Sequence, residues 1–191
     1  NAEAVRLMET AERSVDAIME RWNIWKKGEP LYPNYLLANQ EAVRRKVTIR
    51  RLLILSQAQM QQTPLVADAI QIMDDQHRAG INIYYCFREE LVRSPTFQRM
   101  EEEFKKHGAP QDINAAMFDG EILIFSQSYG QVPLGMVGKP TPITMISQLK
   151  ITWKPELIRE LNPAPLFDMT RYVFEYEGAK SFEAQLARFI G

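Results

Sequence analysis

The chain reads as an α/β domain with a mixed, largely parallel central β-sheet flanked by helices and with a C-terminal helical extension. Three observations predict this. Residues 47–56, VTIRRLLILS, and 81–87, INIYYCF, are apolar, β-branched runs separated by a helical stretch at 64–78, the order of a right-handed parallel crossover. Asp119-Gly120 separates the alternating run Ile113–Phe118 from the apolar run Ile122–Phe125, a strong hairpin signal. Elsewhere apolar residues recur at helical spacing among charged ones, giving helices with one face to lay on a sheet.

The elements follow in order. Val5, Met8, Val15, Ile18, Met19 and Trp22 recur at helical spacing among Glu and Arg, which predicts an amphipathic helix over residues 3–25. Gly28, Pro30 and Pro33 break the chain, and Asn34 caps a second helix over 35–45. That helix ends in Arg44, Arg45 and Lys46, whose charges complement its carboxyl-terminal dipole. The strand over 47–56 leads to the helix over 64–78, with Thr63 as cap, Pro64 in its first turn and Gly80 as stop. After the strand over 81–87, a charged helix over 95–107 enters the hairpin. Residues 130–142, rich in Gly and Pro, read as a long loop before a strand over 143–153. The remainder holds a helix over 155–161, a proline-broken segment over 162–166, the short aromatic strand RYVFEY and a final helix from Ser181. The apolar side of that last helix, Phe182, Leu186, Phe189 and Ile190, needs a surface to cover. The expected division is a domain over 3–153 and an extension over 154–191 that packs on the domain or on a dimer partner.

With 191 residues, 46% hydrophobic and 25% charged, the chain has the composition of an ordinary soluble domain. Its net charge of −1 gives no bulk attraction to nucleic acid or anionic lipid. No apolar run approaches the roughly 18 residues a transmembrane helix needs, so no membrane is expected as a partner. Cys86, the single cysteine, lies in an apolar run and reads as a buried, inert thiol. It permits no intramolecular disulfide, which fits a cytoplasmic location. The opening Asn1-Ala2 without a methionine predicts a piece of a longer protein.

Residues able to do chemistry are sparse. His77 and His107 lie near helix ends as capping residues, and Asp74, Asp75 and His77 make too weak a divalent set, so no metal and no other cofactor is expected. Gly135 and Gly138 lack the Lys-Ser/Thr and helix onset of a nucleotide loop. Arg44, Arg45 and Lys46, with Arg50 and Arg51 beyond, are the one basic run open to phosphate or nucleic acid. Neighbouring residues of a strand face opposite ways, however, so Arg50 and Arg51 cannot both join it, and nucleic acid is not expected as a partner. Trp22, Trp25, Tyr32 and Tyr35 read as a core edge or, if exposed, as an apolar patch for a partner.

Ala11-Glu12-Arg13-Ser14-Val15, Ala38-Asn39-Gln40-Glu41-Ala42, the strand over 47–55 and Ala79-Gly80-Ile81 precede, in that order, the hairpin carrying Asp119. Over residues 11–153 this arrangement resembles one half of the phospholipase D superfamily. In that family the first hairpin strand carries His-x-Lys-x(4)-Asp. The resemblance implies a histidine that attacks phosphorus, a lysine that holds the phosphoryl oxygens, and two such halves meeting across a pseudo-twofold axis. Counted back from Asp119, Asp112 stands at the histidine position and Asn114 at the lysine position. Asp112 repels a phosphodiester, and Asn114 supplies dipoles but no charge. The Gly-Ser-x-Asn element that usually follows is replaced by Ser126-Gln127-Ser128-Tyr129. The half is therefore degenerate, with its fold expected and its reaction lost.

The hairpin's polar residues admit a purely structural role: Asp112 ends a loop, Asp119 with Gly120 makes a turn, and Ser126 and Ser128 end a strand. The functional alternative places Asp112, Asn114, Ser126 and Ser128 along the old cleft as groups that bind a polyol, an amine or a peptide. Three functions follow. The first is a non-catalytic sensor or protein-interaction and dimerisation domain of a larger cytoplasmic regulatory protein, working as a homodimer. The second is a divergent, metal-assisted phosphodiesterase or nuclease using Asp112 and Asp119. The third is a nucleic-acid-binding module working through the basic run from Arg44 to Arg51.

Overall fold

The computed structural model describes residues 2–22, 32–108, 112–133, 143–169, 172–173, 182–184 and 187; at 2, 32, 127–133, 143–149, 169 and 172–173 it describes the backbone. Helix α1 (Ala2–Thr10) is followed by strand β1 (Ser14–Met19), α2 (Tyr32–Arg44), β2 (Thr48–Leu55), the short α3 (Gln57–Met60) and α4 (Thr63–Arg78). Next come β3 (Asn82–Phe87), the short α5 (Arg88–Leu91), α6 (Pro95–Lys106), β4 (Asn114–Phe118), β5 (Ile122–Pro133), β6 (Ile143–Thr152), α7 (Pro155–Glu160), α8 (Ala164–Met169) and β7 (Tyr172–Val173).

Among the described residues, seven strands form one sheet in the order β6-β5-β4-β1-β2-β3-β7. The sheet is mixed, as expected. Its parallel part is the middle, where β1 pairs with β2 and β2 with β3. The outer pairings, β1 with β4, β4 with β5, β5 with β6 and β3 with β7, are antiparallel.

Strand β2 shows how the layers arise. Ile49, Leu53 and Leu55 belong to one buried cluster with Leu7 and Met8 of α1, Ala38 and Ala42 of α2, and Ala69, Ile72 and Met73 of α4. Leu52 and Ile54, with the opposite parity, join a second cluster with Phe97, Met100 and Phe104 of α6 and Leu166 and Phe167 of α8. Helices thus cover both faces, and each fully buried aliphatic side chain contributes about 1.5–3 kcal/mol.

The first predicted helix is corrected. Only its first part is helical; residues 14–19 form β1, at the centre of the sheet. Val15 and Ala17 face one core and Ile18 the other, and a strand buried on both faces is apolar almost throughout. That run fits helical spacing equally well, since a short apolar stretch is ambiguous by periodicity. Tertiary pairing decides for the strand: Asp16 lies opposite Arg50 in register, and the two form a bidentate ion pair at 2.7 Å.

The expected strands over 47–56, 81–87 and 143–153 and the helices over 64–78, 95–107 and 155–161 are all present, with ends moved by a residue or two. Gln62, not Thr63, occupies the cap of α4. Pro33 and Asn34 lie inside α2, not before it. Gly80 stops α4 with φ +87°, and a Cβ there would stand 2.7 Å from Val43 Cγ1. Residues 162–166 are not simply broken: Asn162 Oδ1 accepts the Ala164 N–H at 3.0 Å and opens α8, whose first turn tolerates Pro165. Residues 130–133, expected as loop, are the end of β5, which runs to Pro133; residues 134–142 lie outside the described residues, as do Gly28, Pro30 and Trp25. Of RYVFEY, Tyr172 and Val173 pair with β3. Of the last helix, Phe182 is buried edge-on to Tyr85 at 5.0 Å, while Leu186, Phe189 and Ile190 lie outside the described residues. Among the described residues no helix is long and apolar enough to cross a membrane.

Candidate functional site

The carboxyl ends of β1, β2 and β3 point the same way because these strands are parallel, and that edge is where ligands sit in open α/β sheets. Antiparallel β4 brings its amino end to the same edge, with Asn114 opposite Met19. Pairing of Ala115 with Phe125 then places Ser126, the next residue of β5, there too. The sheet register therefore gathers Asp112, Asn114 and Ser126 beside the residues that follow β1 and β3. Ser128 lies further along β5, paired with Ser147 of β6, and its side chain is not among those described.

Two ion-pair systems occupy this edge. In the first, Arg21 holds both Asp112 and Asn114: its Nε donates to Asp112 Oδ2 at 3.0 Å, and its backbone N–H donates to Asn114 Oδ1 at 3.1 Å. Asn114 Nδ2 in turn reaches the Asp112 carbonyl at 3.4 Å. The Arg21 and Asp112 side chains are 33% and 50% exposed, so this layer faces solvent.

The second system lies beneath. Buried Glu20 extends the strand ladder, its N–H donating to the Ile113 carbonyl at 3.1 Å, while its carboxylate accepts the Ile113 N–H and pairs with Arg88. Arg88, directly after β3, also pairs with Glu101 of α6, which meets Lys105 at 3.1 Å. Burial pushes the Glu20 carboxyl above its ordinary range, with Asp112 adding to the effect, and the Ile113 N–H and Arg88 offset only part of it. Burial also opposes the charge on Glu101, but bonds from Lys105 and Arg88 prevail and hold it below the ordinary value. At the other side of the edge, Ser56 and Gln59 form a capping box on α3, and Gln59 Oε1 accepts the indole N–H of buried Trp22 at 3.4 Å.

Asp119 sits at the opposite end of β4. It occupies the hairpin turn at φ +55°, followed by Gly120 at φ +74°, the two left-handed positions of a type I′ turn. Its carboxylate accepts the backbone N–H groups of Glu12, Arg13 and Ser14 at 3.0, 2.7 and 2.9 Å. Partial burial opposes ionisation there, yet these three donors and the Arg13 charge hold the pKa below its ordinary value. Asp119 is thus a staple between the hairpin and the start of β1.

The basic run is dispersed. Arg44 pairs with Glu41, Arg45 caps the carbonyls of Met8 and Ala11 at 3.0 and 3.2 Å, and Lys46 turns the chain at φ +69°. Arg50 is bound to Asp16 on one face of the sheet, while Arg51 is buried on the other with Asn39 and Gln76. Burial raises the pKa of Cys86, leaving an unreactive thiol, and Asp74 pairs with Arg78.

Glu20, Arg21, Arg88 and Glu101 escaped the reading of the sequence. A signal was present: Glu20-Arg21 directly follows the apolar run 14–19 and Arg88-Glu89 directly follows 81–87, where the carboxyl ends of parallel strands place ligand-contacting residues. Treating 14–19 as a helix hid the first pair.

Neither a family model nor a curated protein matches the chain. A solved structure does: a phospholipase D family member, Nuc from Salmonella typhimurium, with a TM-score of 0.50 over 90% of this chain and 88% of that one, at 11% identity. The chain has a phospholipase D-like fold.

Proposed function

We propose that this is a non-catalytic, degenerate phospholipase D-like domain that serves as a ligand-sensing and dimerisation module of a larger regulatory protein. The observation that carries the reading is the bridge made by Arg21. The residues at the positions of the family's nucleophile and phosphate-holding lysine are Asp112 and Asn114, and Arg21 engages both. A carboxylate there neither attacks phosphorus as an imidazole does nor welcomes a phosphodiester, and Asn114 brings no positive charge to the transition state. Asp119 also has a role that needs no substrate, since three backbone donors occupy its carboxylate.

What remains is a polar edge of Asp112, Asn114, Arg21 and Ser126, suited to hydrogen-bonding a small polar or amine ligand. Dimerisation follows from the resemblance, in which two halves meet. Titration of the protein with inorganic phosphate and with a panel of small amines, followed by thermal shift, tests the ligand reading. Saturable stabilisation by phosphate sinks it; stabilisation by an amine, lost in Asp112→Ala, supports it. Sedimentation at micromolar concentration is expected to give a dimer, and a purely monomeric species contradicts that part.

A further inference from the structure

We propose that Glu103, His107 and Glu160 form a site for a divalent transition-metal ion, with zinc as its natural probe, that fastens α7 to the end of α6. The site is separate from the edge discussed above and does not depend on its reading. Glu103 and His107 are four residues apart, and the His107 N–H still bonds to the Glu103 carbonyl at 3.2 Å, so the last helical turn places both side chains on one face. Glu160 comes from a distant part of the chain, as the final residue of α7. One ligand atom from each lies within 4.8 Å of the others, and His107 Nε2 stands 4.0 Å from Glu160 Oε2.

Ligand atoms on a tetrahedral zinc ion are about 3.4 Å apart, so closing the set takes rotamer adjustments of about 1 Å. The two helices need not move. Phe104, one turn before His107, is buried in the same core as Leu161, which directly follows Glu160, and that packing fixes the spacing. Two carboxylates brought together from separate elements repel each other, and a dication between them converts that cost into attraction. The His107 imidazole adds a nitrogen ligand, which favours zinc over magnesium or calcium, and water completes the shell. A competitor for Glu103 is Lys106, 64% exposed, in a same-helix pair that solvent screens and a dication can displace. The Glu103 and His107 side chains are each only 28% exposed, so the ion is partly shielded.

Zinc chloride added to the chelator-treated full chain is expected to raise the thermal midpoint by several degrees at about a hundredfold excess over Kd. His107→Ala and Glu160→Gln are each expected to weaken the affinity at least tenfold while leaving the metal-free midpoint nearly unchanged, because both side chains reach solvent. Cobalt(II) is expected to give a visible absorption band with the unaltered chain, and that band disappears in both variants. No stabilisation by zinc, or a zinc titration in which either variant keeps the affinity of the unaltered chain, overturns the site.

Discussion

The two ends of β4 carry an aspartate each, and the two do different work. Asp119 accepts three backbone N–H groups and joins two segments of chain; Asp112 faces solvent and is held by Arg21 above a partly buried ion-pair system centred on buried Glu20. Asp119 braces the fold, whereas Asp112 closes a solvent-facing ion pair with Arg21. The two ends of one strand can thus differ in exposure and in role, because each is stabilised by its own local contacts.

The largest effect is expected beneath the Asp112 end. Arg88→Met removes the cation that offsets the burial of the Glu20 carboxyl, leaving it the Ile113 N–H among the described donors, a loss of about 3 kcal/mol. A midpoint in urea close to the unaltered protein's would show that this system contributes little.

Next comes the other end. Asp119→Ala orphans three N–H groups and places alanine at φ +55°, a loss of about 2 kcal/mol in the same assay.

The two ends also differ in their response to pH. The Asp119 pKa is depressed on folding, so its stabilising effect is full above its ordinary value of 3.8 and is lost as pH falls through the folded value. The Glu20 pKa is raised, so its effect is full below 4.5 and is lost as pH rises through the raised value. Stability measured against pH is therefore expected to show a smaller acid-side decline in Asp119→Asn and a smaller decline above 4.5 in Glu20→Gln. Parallel curves for the two variants contradict the assignment.

The smallest effect is expected at Asp112 itself. Its ion pair with Arg21 is half exposed, so Asp112→Ala is expected to change stability by about 0.5 kcal/mol or less. A larger loss would make Asp112 a structural residue like Asp119.

Much of this contrast was legible in the sequence. Asp119-Gly120 announced the turn, and the spacing back from it placed Asp112 and Asn114 together, because strand register follows from the hairpin. The partners of Asp112 were not legible, since Arg21 lies in the central strand's continuation and the run Val15–Met19 satisfies helix and strand periodicity alike. Glu20, Arg88 and Glu101 come from three separate segments and are brought together by the parallel pairing of β1, β2 and β3 and by the packing of α6 on the sheet. The zinc set stayed hidden for the same reason, with Glu160 far from His107 in the chain. Arg50 and Arg51 were readable as opposed by strand alternation alone, and they face opposite sides of the sheet.

The measurement that bears most directly on the account is hydrolysis of bis(p-nitrophenyl) phosphate by the unaltered chain, with chelator and then with magnesium, manganese or zinc. No turnover above the buffer rate is expected under any of these conditions. Turnover by the unaltered chain that is abolished in Asp112→Ala would contradict the proposal that this domain is non-catalytic.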